Sequence, residues 1–273
     1  MSAEYVPGDY WEGVLGGDFS AAGVAYPHLA VSLNRAMYRA LAAQATRALA
    51  AAGAPAAPGS VLDVGCGTGI WLGFWRRRGV RDLTGIDLTE ASISRLAERF
   101  PGVRLRRLDV ADPAVRELGR FDAISAMSVL LHITDDARFR QAVANLAAML
   151  RPGGVLLLTE PVVVHRWWGP PFGPGSNSVA RPLQLWRELL GEHGLEIADL
   201  RPATVLLANP IDTRTRTGYR ALTRYWDLLS RGVGRRERLG ALAGAALGAL
   251  DAPLRRLLPG GPSAKVLAVR RRG

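Results

Sequence analysis

The sequence predicts an α/β protein in which a parallel β-sheet carries helices on both faces. From Ser60 onward, short apolar runs alternate with segments of helical periodicity along the chain. Parallel strands that follow one another through single helices require right-handed crossovers, which place helices on both sides of the sheet. With 48% hydrophobic residues among 273, the chain can form the core of one large domain or two small ones.

The chain before the alternating region, residues 1–55, is predicted to form an N-terminal cap. An aromatic-rich loop opens this segment, and an alanine-rich helix then runs from about Asn34 until Gly53 ends it. The stretch 54–60 (Ala-Pro-Ala-Ala-Pro-Gly-Ser) indicates a linker, because proline and glycine interrupt regular structure.

The predicted core, residues 56–211, holds the alternating strands and helices. Five apolar runs indicate strands, and four segments between them indicate helices, the last of which has its apolar residues on one stripe. The predicted strands are 60–64, 82–86, 103–108, 121–126 and 154–159, and the predicted helices are 70–78, 90–100, 113–118 and 136–150. A further helix over 182–193 and a strand-like run over 195–207 complete this part.

The segment 212–262 departs from this rhythm and is predicted to be a mostly helical insertion before the last core strand, within 263–273. An insertion of this size in an α/β protein is typical of a lid over the ligand site. The sheet is therefore expected to end with two strands that a helical excursion separates.

The sharpest motif is a strand that runs into a turn with glycines at alternate positions, Val61–Gly69. Such glycines allow a tight turn and let a ligand approach the start of the following helix. A dinucleotide fingerprint would need a third glycine where Ile70 stands, and a phosphate-binding loop of the Walker type would need a lysine. Asp63 would repel a pyrophosphate, so it is better suited to a ligand that carries an amino group.

Carboxylates also end the next two predicted strands. Asp87 lies near the offset at which an acidic side chain reaches a ribose diol in nucleotide-binding units, and Asp109 ends the third strand. Three acids at one edge of a parallel sheet predict a cationic, ribose-containing ligand without phosphates. The stretch around Asp109 is also typical of helix capping, which leaves its role open.

Together these motifs resemble the class I S-adenosylmethionine-dependent methyltransferases. The similarity covers roughly residues 60–160, and its parts occur in the family's order. These parts are VLDVGCGTG, GIDLT, RLDVAD, FDAISAMSVLLHI and LRPGGVLLLTE. The resemblance implies a Rossmann-like, mostly parallel seven-stranded sheet with helices on both faces, closed by an antiparallel last strand.

The resemblance also implies S-adenosylmethionine as the cofactor and S-adenosylhomocysteine as the product. Asp63 and the glycine loop would hold the methionine part, Asp87 the ribose hydroxyls, and Asp109 one side of the adenine. The other residues implied to bind the cofactor are Gly65, Cys66, Gly67, Gly69, Leu88, Val110 and Met127.

Two residues are predicted to serve catalysis. His132 lies just past the fourth strand on the ligand edge, and an unperturbed pKa of about 6.5 suits a general base near neutrality. The resemblance supports this, since many small-molecule methyltransferases carry a histidine there. Glu160, after the fifth strand, is a candidate for orienting His132 or a substrate hydroxyl. A packing histidine and an ordinary buried carboxylate are the alternatives.

The acceptor is predicted to be a small molecule of specialised (secondary) metabolism, with O-methylation favoured because a base helps a hydroxyl most. Enzymes that methylate the amino groups of bases or amides usually carry a proline-containing pattern after the fourth strand, and this chain does not have it there. No RNA-binding module is recognisable in the sequence either. C-methylation of a prenyl diphosphate and a non-catalytic partner subunit remain alternatives. The candidate substrate residues are Tyr10, Trp11, Tyr26, Trp167, Trp168, Arg216, Tyr219 and Arg220.

A basic helical face supports the diphosphate alternative, because Arg216, Arg220 and Arg224 recur every four residues. A solvated face is the competing interpretation. In the same insertion, Gly240, Gly244 and Gly248 indicate close helix packing. The arginines around that repeat (235, 236, 238, 255 and 256) leave contact with a lipid surface open.

The net charge of +11 comes from 35 basic and 24 acidic side chains, and Lys265 is the only lysine. This arginine bias is a weak indicator of nucleic-acid binding, which is not predicted. Cys66 is the only cysteine, which excludes an intramolecular disulfide and a cysteine-rich zinc site, and no metal site is predicted. Without a recognisable secretory signal or an apolar run long enough for stable membrane insertion, a cytoplasmic protein is expected. The oligomeric state is left open.

Overall fold

The computed structural model describes residues 5–169 and 176–271. The first four residues of the predicted cap and the last two of the predicted final segment therefore lie outside the described residues. The fold is built from one seven-stranded sheet, a two-stranded ribbon and eight α-helices within these ranges.

The strands follow the predicted order closely. They are β1 (Ser60–Val64), β2 (Asp82–Asp87), β3 (Arg104–Arg107), β4 (Phe121–Met127), β5 (Leu150–Glu160), β6 (Val162–Val163), β7 (Arg181–Pro182), β8 (Leu195–Pro202) and β9 (Lys265–Arg271). The main sheet has the order β3-β2-β1-β4-β5-β9-β8, in which β1 to β5 are parallel. β9 pairs antiparallel with both β5 and β8, which confirms the predicted antiparallel last strand.

The helices cover both faces of the sheet. They are α1 (Pro7–Gly17), α2 (Val31–Ala51), α3 (Ile70–Arg77), α4 (Glu90–Arg99), α5 (Asp136–Met149), α6 (Leu183–Glu192), α7 (Arg216–Arg231) and α8 (Glu237–Leu257). Each face of the sheet packs into its own hydrophobic core cluster. One cluster is built around Phe139 and Trp186, and the other around Trp71 and Trp75. The carboxyl ends of β1 and β4 meet where the strand order reverses, which is where open α/β sheets bind ligands.

The N-terminal segment differs from its prediction, because the aromatic-rich loop contains α1. Pro7 occupies the first turn of this helix, where its missing N–H has no partner to lose. The helix α2 also begins three residues before the predicted start at Asn34. The buried side-chain amide of Asn34 donates hydrogen bonds to the carbonyls of Tyr26, Leu29 and Ala30, and these bonds hold the first turn of α2 to the preceding segment.

The strand predicted over 195–207 ends at Pro202, and the segment predicted as a helix over 113–118 is a 3-10 turn. Beyond the strand, the buried carboxylate of Asp251 accepts the N–H groups of Val205 and Leu206, both at 2.7 Å. These bonds replace the ladder bonds that a longer strand would make. A contact so distant in sequence gives no signal in the local apolar pattern.

Candidate active site

A cavity of about 1000 Å³, its open mouth included, lies at the carboxyl ends of β1, β2 and β4. Its walls come from the glycine loop, the strand ends, α1 and α2, and most of the lining side chains are apolar. The lining residues that sequence analysis predicted are Trp11, Gly65, Cys66, Gly67, Asp87, Leu88, Asp109, Val110, Met127 and His132. The structure therefore brings most of the predicted cofactor residues together with the candidate base.

The glycine loop has a shape that only glycine permits at two of its positions. Gly65 and Gly69 have φ angles of 63° and 80°, which side chains rarely tolerate. A Cβ atom on Gly65 would lie 2.6 Å from Val129, and one on Gly69 would lie 2.5 Å from the Phe100 ring. Gly65 thus lets the loop pass under the turn that follows β4, whereas Gly69 serves packing and does not line the cavity.

Asp87 ties this loop to the neighbouring strand. One carboxylate oxygen accepts the Gly67 N–H at 2.8 Å, and the other accepts the N–H and hydroxyl of Thr89 at 3.0 and 2.7 Å. Burial raises the pKa of Asp87, and these hydrogen bonds oppose that rise. The carboxylate is held in one orientation at the cavity wall, where it can accept further hydrogen bonds from a ligand.

Asp63 lies beneath the loop and does not line the cavity. One of its oxygens accepts the Ser125 hydroxyl at 2.6 Å, and that hydroxyl in turn accepts the indole N–H of Trp75 at 2.9 Å. The second oxygen is buried without a hydrogen-bond partner among the described residues. Burial raises the pKa of this carboxyl to about 7. An unpartnered buried carboxylate oxygen is costly, and a cationic group beside it would offset that cost.

The far wall of the cavity holds Asp109 and Val110. One oxygen of Asp109 accepts the Ala111 N–H at 2.8 Å, and the other forms an ion pair with Arg138. Asp109 therefore forms a local turn and lines the cavity, whereas Asp112 is the residue that caps the following 3-10 helix. The two roles of Asp109 are compatible, because carboxylate oxygens can each accept more than one hydrogen bond.

The cavity is also shaped by Ser128, which has a φ of 61°, an uncommon value for a residue with a side chain. Its N–H donates to the Thr159 carbonyl at 2.9 Å, so the chain leaves β4 with a sharp turn. This turn places Met127 and Val129 on the cavity wall.

His132 ends a 3-10 turn, Leu130–His132, and projects into the cavity. Its Nδ1 atom lies 2.5 Å from the Asn177 carbonyl, so Nδ1 carries the proton and donates it there. The Nε2 atom is then an acceptor. The Trp11 ring packs edge-on against the imidazole, with ring centroids 4.8 Å apart. Burial lowers the pKa of His132, which favours the neutral ring.

Glu160 contacts the backbone of this turn and supports His132 only through it. Its Oε1 atom accepts the Leu130 N–H at 2.9 Å. Burial raises the pKa of Glu160 to about 8, although the turn's N–H groups and the nearby Arg181 guanidinium oppose that rise. Arg181 donates to the Ile133 carbonyl at 2.8 Å. Glu160 and Arg181 therefore hold the two ends of the segment that carries His132.

Among the predicted substrate residues, Trp11 lines the cavity and Tyr10 stands beside it. The Tyr10 hydroxyl accepts from the Asn177 side chain at 3.2 Å. Tyr26 hydrogen-bonds to Asn209 and packs on Trp226, which ties the N-terminal segment to α7. Tyr26 is therefore part of the packing between these segments.

The remaining predicted substrate residues are described by the structure and lie outside the cavity lining. Trp168 donates its indole N–H to the Thr213 carbonyl at 3.0 Å. Trp167 pairs through its backbone with Asp212 in an isolated antiparallel β-bridge. Arg216 and Arg220 are exposed on α7, with Tyr219 half-buried between them. The anion-binding role of this face stays a prediction.

Several lining residues escaped the sequence analysis. Leu15 on α1 was missed because that helix was taken for a loop, and Trp71 stands directly after the glycine loop without a motif of its own. Tyr38 lies on the apolar stripe of α2, where it resembles any core residue. The helical spacing of Tyr38 and Leu41 is the one sequence signal that could have predicted that Tyr38 faces the cavity.

The helix α1 closes one side of the cavity and is fixed at two points. The Glu12 carboxylate accepts the N–H groups of Glu90 and Ala91 at 2.7 and 3.0 Å, at the start of α4. Arg95 donates to the Leu15 and Gly16 carbonyls at 2.9 and 3.1 Å. Glu12 thus accepts the first two N–H groups of α4, while the N-cap residue Thr89 accepts that of Ser92.

The sheet order, the glycine loop and the acid-lined cavity define a class I S-adenosylmethionine-dependent methyltransferase. The chain belongs to the family described as "Methyltransferase domain", whose model matches residues 33–200.

Curated relatives share part of this region. The chain is 39% identical over 98 residues to a ubiquinone biosynthesis O-methyltransferase from Bordetella avium, covering 34% of this chain and 39% of that protein. It is 36% identical over 99 residues to the protein of that name from Acinetobacter baumannii, covering 34% of this chain and 40% of the relative. The matched region spans about two fifths of these relatives' length.

Solved structures share the fold. A 1,6-didemethyltoxoflavin-N1-methyltransferase from Burkholderia thailandensis matches with a TM-score of 0.51 and 18% identity, covering 100% of this chain and 94% of that one. A magnesium protoporphyrin IX methyltransferase from Synechocystis matches with a TM-score of 0.51 and 15% identity, covering 88% of this chain and 85% of that one. Both contain bound S-adenosylhomocysteine. Among the described residues, no helix is both long enough and apolar enough to cross a membrane.

Proposed function

We propose that this protein transfers a methyl group from S-adenosylmethionine to a hydroxyl oxygen of a small, largely apolar molecule, with His132 as the general base. The observation that carries the proposal is the imidazole's orientation. Its Nδ1 atom is occupied by the Asn177 carbonyl, so Nε2 is left as an acceptor on a residue of the cavity wall. The curated relatives are ubiquinone biosynthesis O-methyltransferases, which supports oxygen as the methylated atom.

The residues around the cavity suit the methyl donor. Asp63 lies beneath the glycine loop and outside the cavity lining, so its buried carboxylate would act on the donor's ammonium group through its charge and not by direct contact. Asp87 would accept hydrogen bonds from the ribose hydroxyls, and Asp109 with Val110 would flank the adenine. The glycine loop and Leu88 would complete the binding surface, with Met127 close to the reacting end. When bound, S-adenosylmethionine supplies a methyl group that its sulfonium charge activates.

His132 prepares the acceptor by removing its proton. As the acceptor oxygen would form its new bond to the methyl carbon, the carbon–sulfur bond of the donor would break, and its electron pair would go to sulfur to leave S-adenosylhomocysteine. The hydroxyl proton would pass to Nε2, and the ring would become positively charged. The Asn177 carbonyl stabilises that charge through the Nδ1–H, and it also fixes the tautomer. Glu160 is a positioning residue, because it contacts the backbone of the turn and not the ring.

The cap excludes water from this reaction. Trp11 and Leu15 of α1 cover the cavity, which has mainly apolar walls. A low local polarity strengthens the interaction between the base and the hydroxyl proton. We assign residues 1–55 to this cap, 56–211 and 263–273 to the core, and 212–262 to a helical insertion, of which no described residue lines the cavity.

Labelled methyl donor provides a direct test of the proposed function. The purified protein is incubated with methyl-¹³C S-adenosylmethionine and a small-molecule extract, and labelled products are located by mass spectrometry and NMR. We expect the label on oxygen. A label on carbon or nitrogen alone would contradict O-methylation and favour the alternative reactions. Donor binding without any labelled product would favour a non-catalytic partner subunit.

Replacing Glu160 with alanine is expected to lower kcat about tenfold while KM for the methyl donor changes little. The variant leaves the Leu130 N–H unpaired and loosens the turn, so the imidazole is held less precisely. Glu160→Gln keeps the accepting oxygen and should restore most of the rate. Parallel kinetics of both variants check this prediction, and equal losses in both would refute a role through the Leu130 hydrogen bond.

A further inference from the structure

The outward side of α8 is an apolar surface that nothing in the described chain covers. We call it the outer face of α8. Leu239, Leu242, Leu250 and Leu257 follow the spacing of a single helical stripe, and Leu242 and Leu257 are 69% and 75% exposed. Between Leu239 and Leu250 the exposed positions are alanine or leucine. The outer face consists of Arg238, Leu239, Leu242, Ala245, Ala246, Ala249, Leu250, Pro253, Arg256 and Leu257.

The opposite side of α8 packs on α2, so the helix cannot rotate to bury these leucines. A Cβ atom on Gly240 would lie 3.0 Å from that of Ala30, and one on Gly244 would lie 2.7 Å from that of Ala36. The glycine spacing therefore serves close helix packing. Asp251 on the same side is fully buried and bonded to the Val205 N–H. Because the inner side of α8 is packed tightly, the exposure of these leucines does not result from a loosely held helix.

The charges near the outer face are almost all positive. Only two acids occur between Leu228 and Leu258, and both are engaged on the inner side of α8. Glu237 accepts the N–H groups of Val31 and Ser32, and Asp251 pairs with Arg255. The arginines of this segment are Arg231, Arg235, Arg236, Arg238, Arg255 and Arg256. An apolar strip with basic residues at both ends is the pattern of a helix that lies in a membrane interface.

We propose that the outer face of α8 docks on the surface of an anionic phospholipid bilayer. The leucines would enter the boundary of the acyl chains, while Arg238 and Arg256 at the two ends would meet lipid phosphates. A second copy of this chain fits less well, because antiparallel pairing of two such faces would bring the Arg238 end against the Arg256 end without an acid between them. A nucleic acid would leave the leucines unpaired.

The test is sedimentation of the full-length protein with vesicles, without methyl donor or acceptor. Phosphatidylcholine vesicles are compared with vesicles that also contain phosphatidylglycerol. We expect binding to the anionic vesicles that weakens as salt rises. The Leu242→Ser/Leu250→Ser variant should bind about 100-fold more weakly, about tenfold for each leucine. Arg238→Gln/Arg256→Gln should bind about 25-fold more weakly, about fivefold for each arginine.

A matched control separates docking from simple charge attraction. Arg106 and Arg140 are exposed on β3 and α5, and Arg106→Gln/Arg140→Gln changes the net charge equally. Circular dichroism and thermal melting check that each variant is folded, and the arginine pair keeps the test decisive if the serine variant is not. Equal losses in both arginine variants would overturn the proposal, as would equal binding to neutral and anionic vesicles. A dimer in light scattering that the serine variant dissociates would show that a second copy covers the face.

Discussion

Replacing Asp87 with alanine is expected to weaken binding of S-adenosylmethionine about 100-fold or more. The proposed hydrogen bonds from the ribose to a charged acceptor contribute about 1.5–3 kcal/mol each. The variant also frees the Gly67 N–H, which Asp87 now holds at 2.8 Å, so the glycine loop loses its link to β2. Isothermal titration calorimetry with the methyl donor measures this effect.

Two further variants make the Asp87 measurement specific. Asp87→Asn keeps one acceptor oxygen and removes the charge, so it should bind more weakly than the natural protein but more tightly than Asp87→Ala. Asp82 lies at the other end of β2, where it is exposed and pairs with Arg104. Asp82→Ala should therefore leave affinity unchanged. Unaltered affinity in a folded Asp87→Ala variant would show that the ribose does not bind there.

Replacing His132 with alanine is expected to lower kcat by about 10²- to 10⁴-fold, the range that a positioned general base contributes. Affinity for the methyl donor should be nearly unchanged, because the imidazole belongs to the acceptor side of the proposed mechanism. Kinetics with saturating donor and calorimetry on the same preparation separate the two effects. His193→Ala is the matched control, since His193 lies at the end of α6. A rate equal to that of the natural protein would refute the base.

The pH dependence of the rate tests the same residue in another way. Burial lowers the pKa of His132 below its ordinary value of 6.5, so the ring stays neutral to a lower pH. Because the neutral ring is the active form in the proposed mechanism, the acid limb of kcat against pH should fall below pH 6.5. The limb should be absent from His132→Ala. A limb unchanged in that variant would assign the titration to another group.

Sequence patterns predicted the core of the fold well because its signals are local. The apolar runs that became β1, β2, β4 and β5 could be located from composition and spacing alone. The N-terminal region was predicted less well. Its aromatic-rich start forms α1, and the aromatic residues hide the helical pattern because they pack on both the cavity and the neighbouring segments.

The grouping of the predicted cofactor residues around one cavity could be predicted for a related reason. Parallel strands place their carboxyl ends at one edge of a sheet, so Asp87 and Asp109 were expected near the glycine loop and line the same cavity. The aromatic and basic residues predicted for the substrate carry no such constraint. Trp168 and Arg220 lie outside the cavity lining, since composition says nothing of the direction in which an inserted helix or loop presents its side chains.

The sequence by itself determined the succession of strands and helices along the chain, the tight turn of the glycine loop and the class of ligand that the strand-end acids suit. Each of these depends on neighbouring residues or on a general rule of parallel sheets. Only the tertiary structure decided that the Asn177 carbonyl contacts Nδ1 of His132, that Glu160 accepts the Leu130 N–H and that the outer face of α8 is exposed. These features arise from contacts between segments distant in the chain, which packing and not local pattern selects.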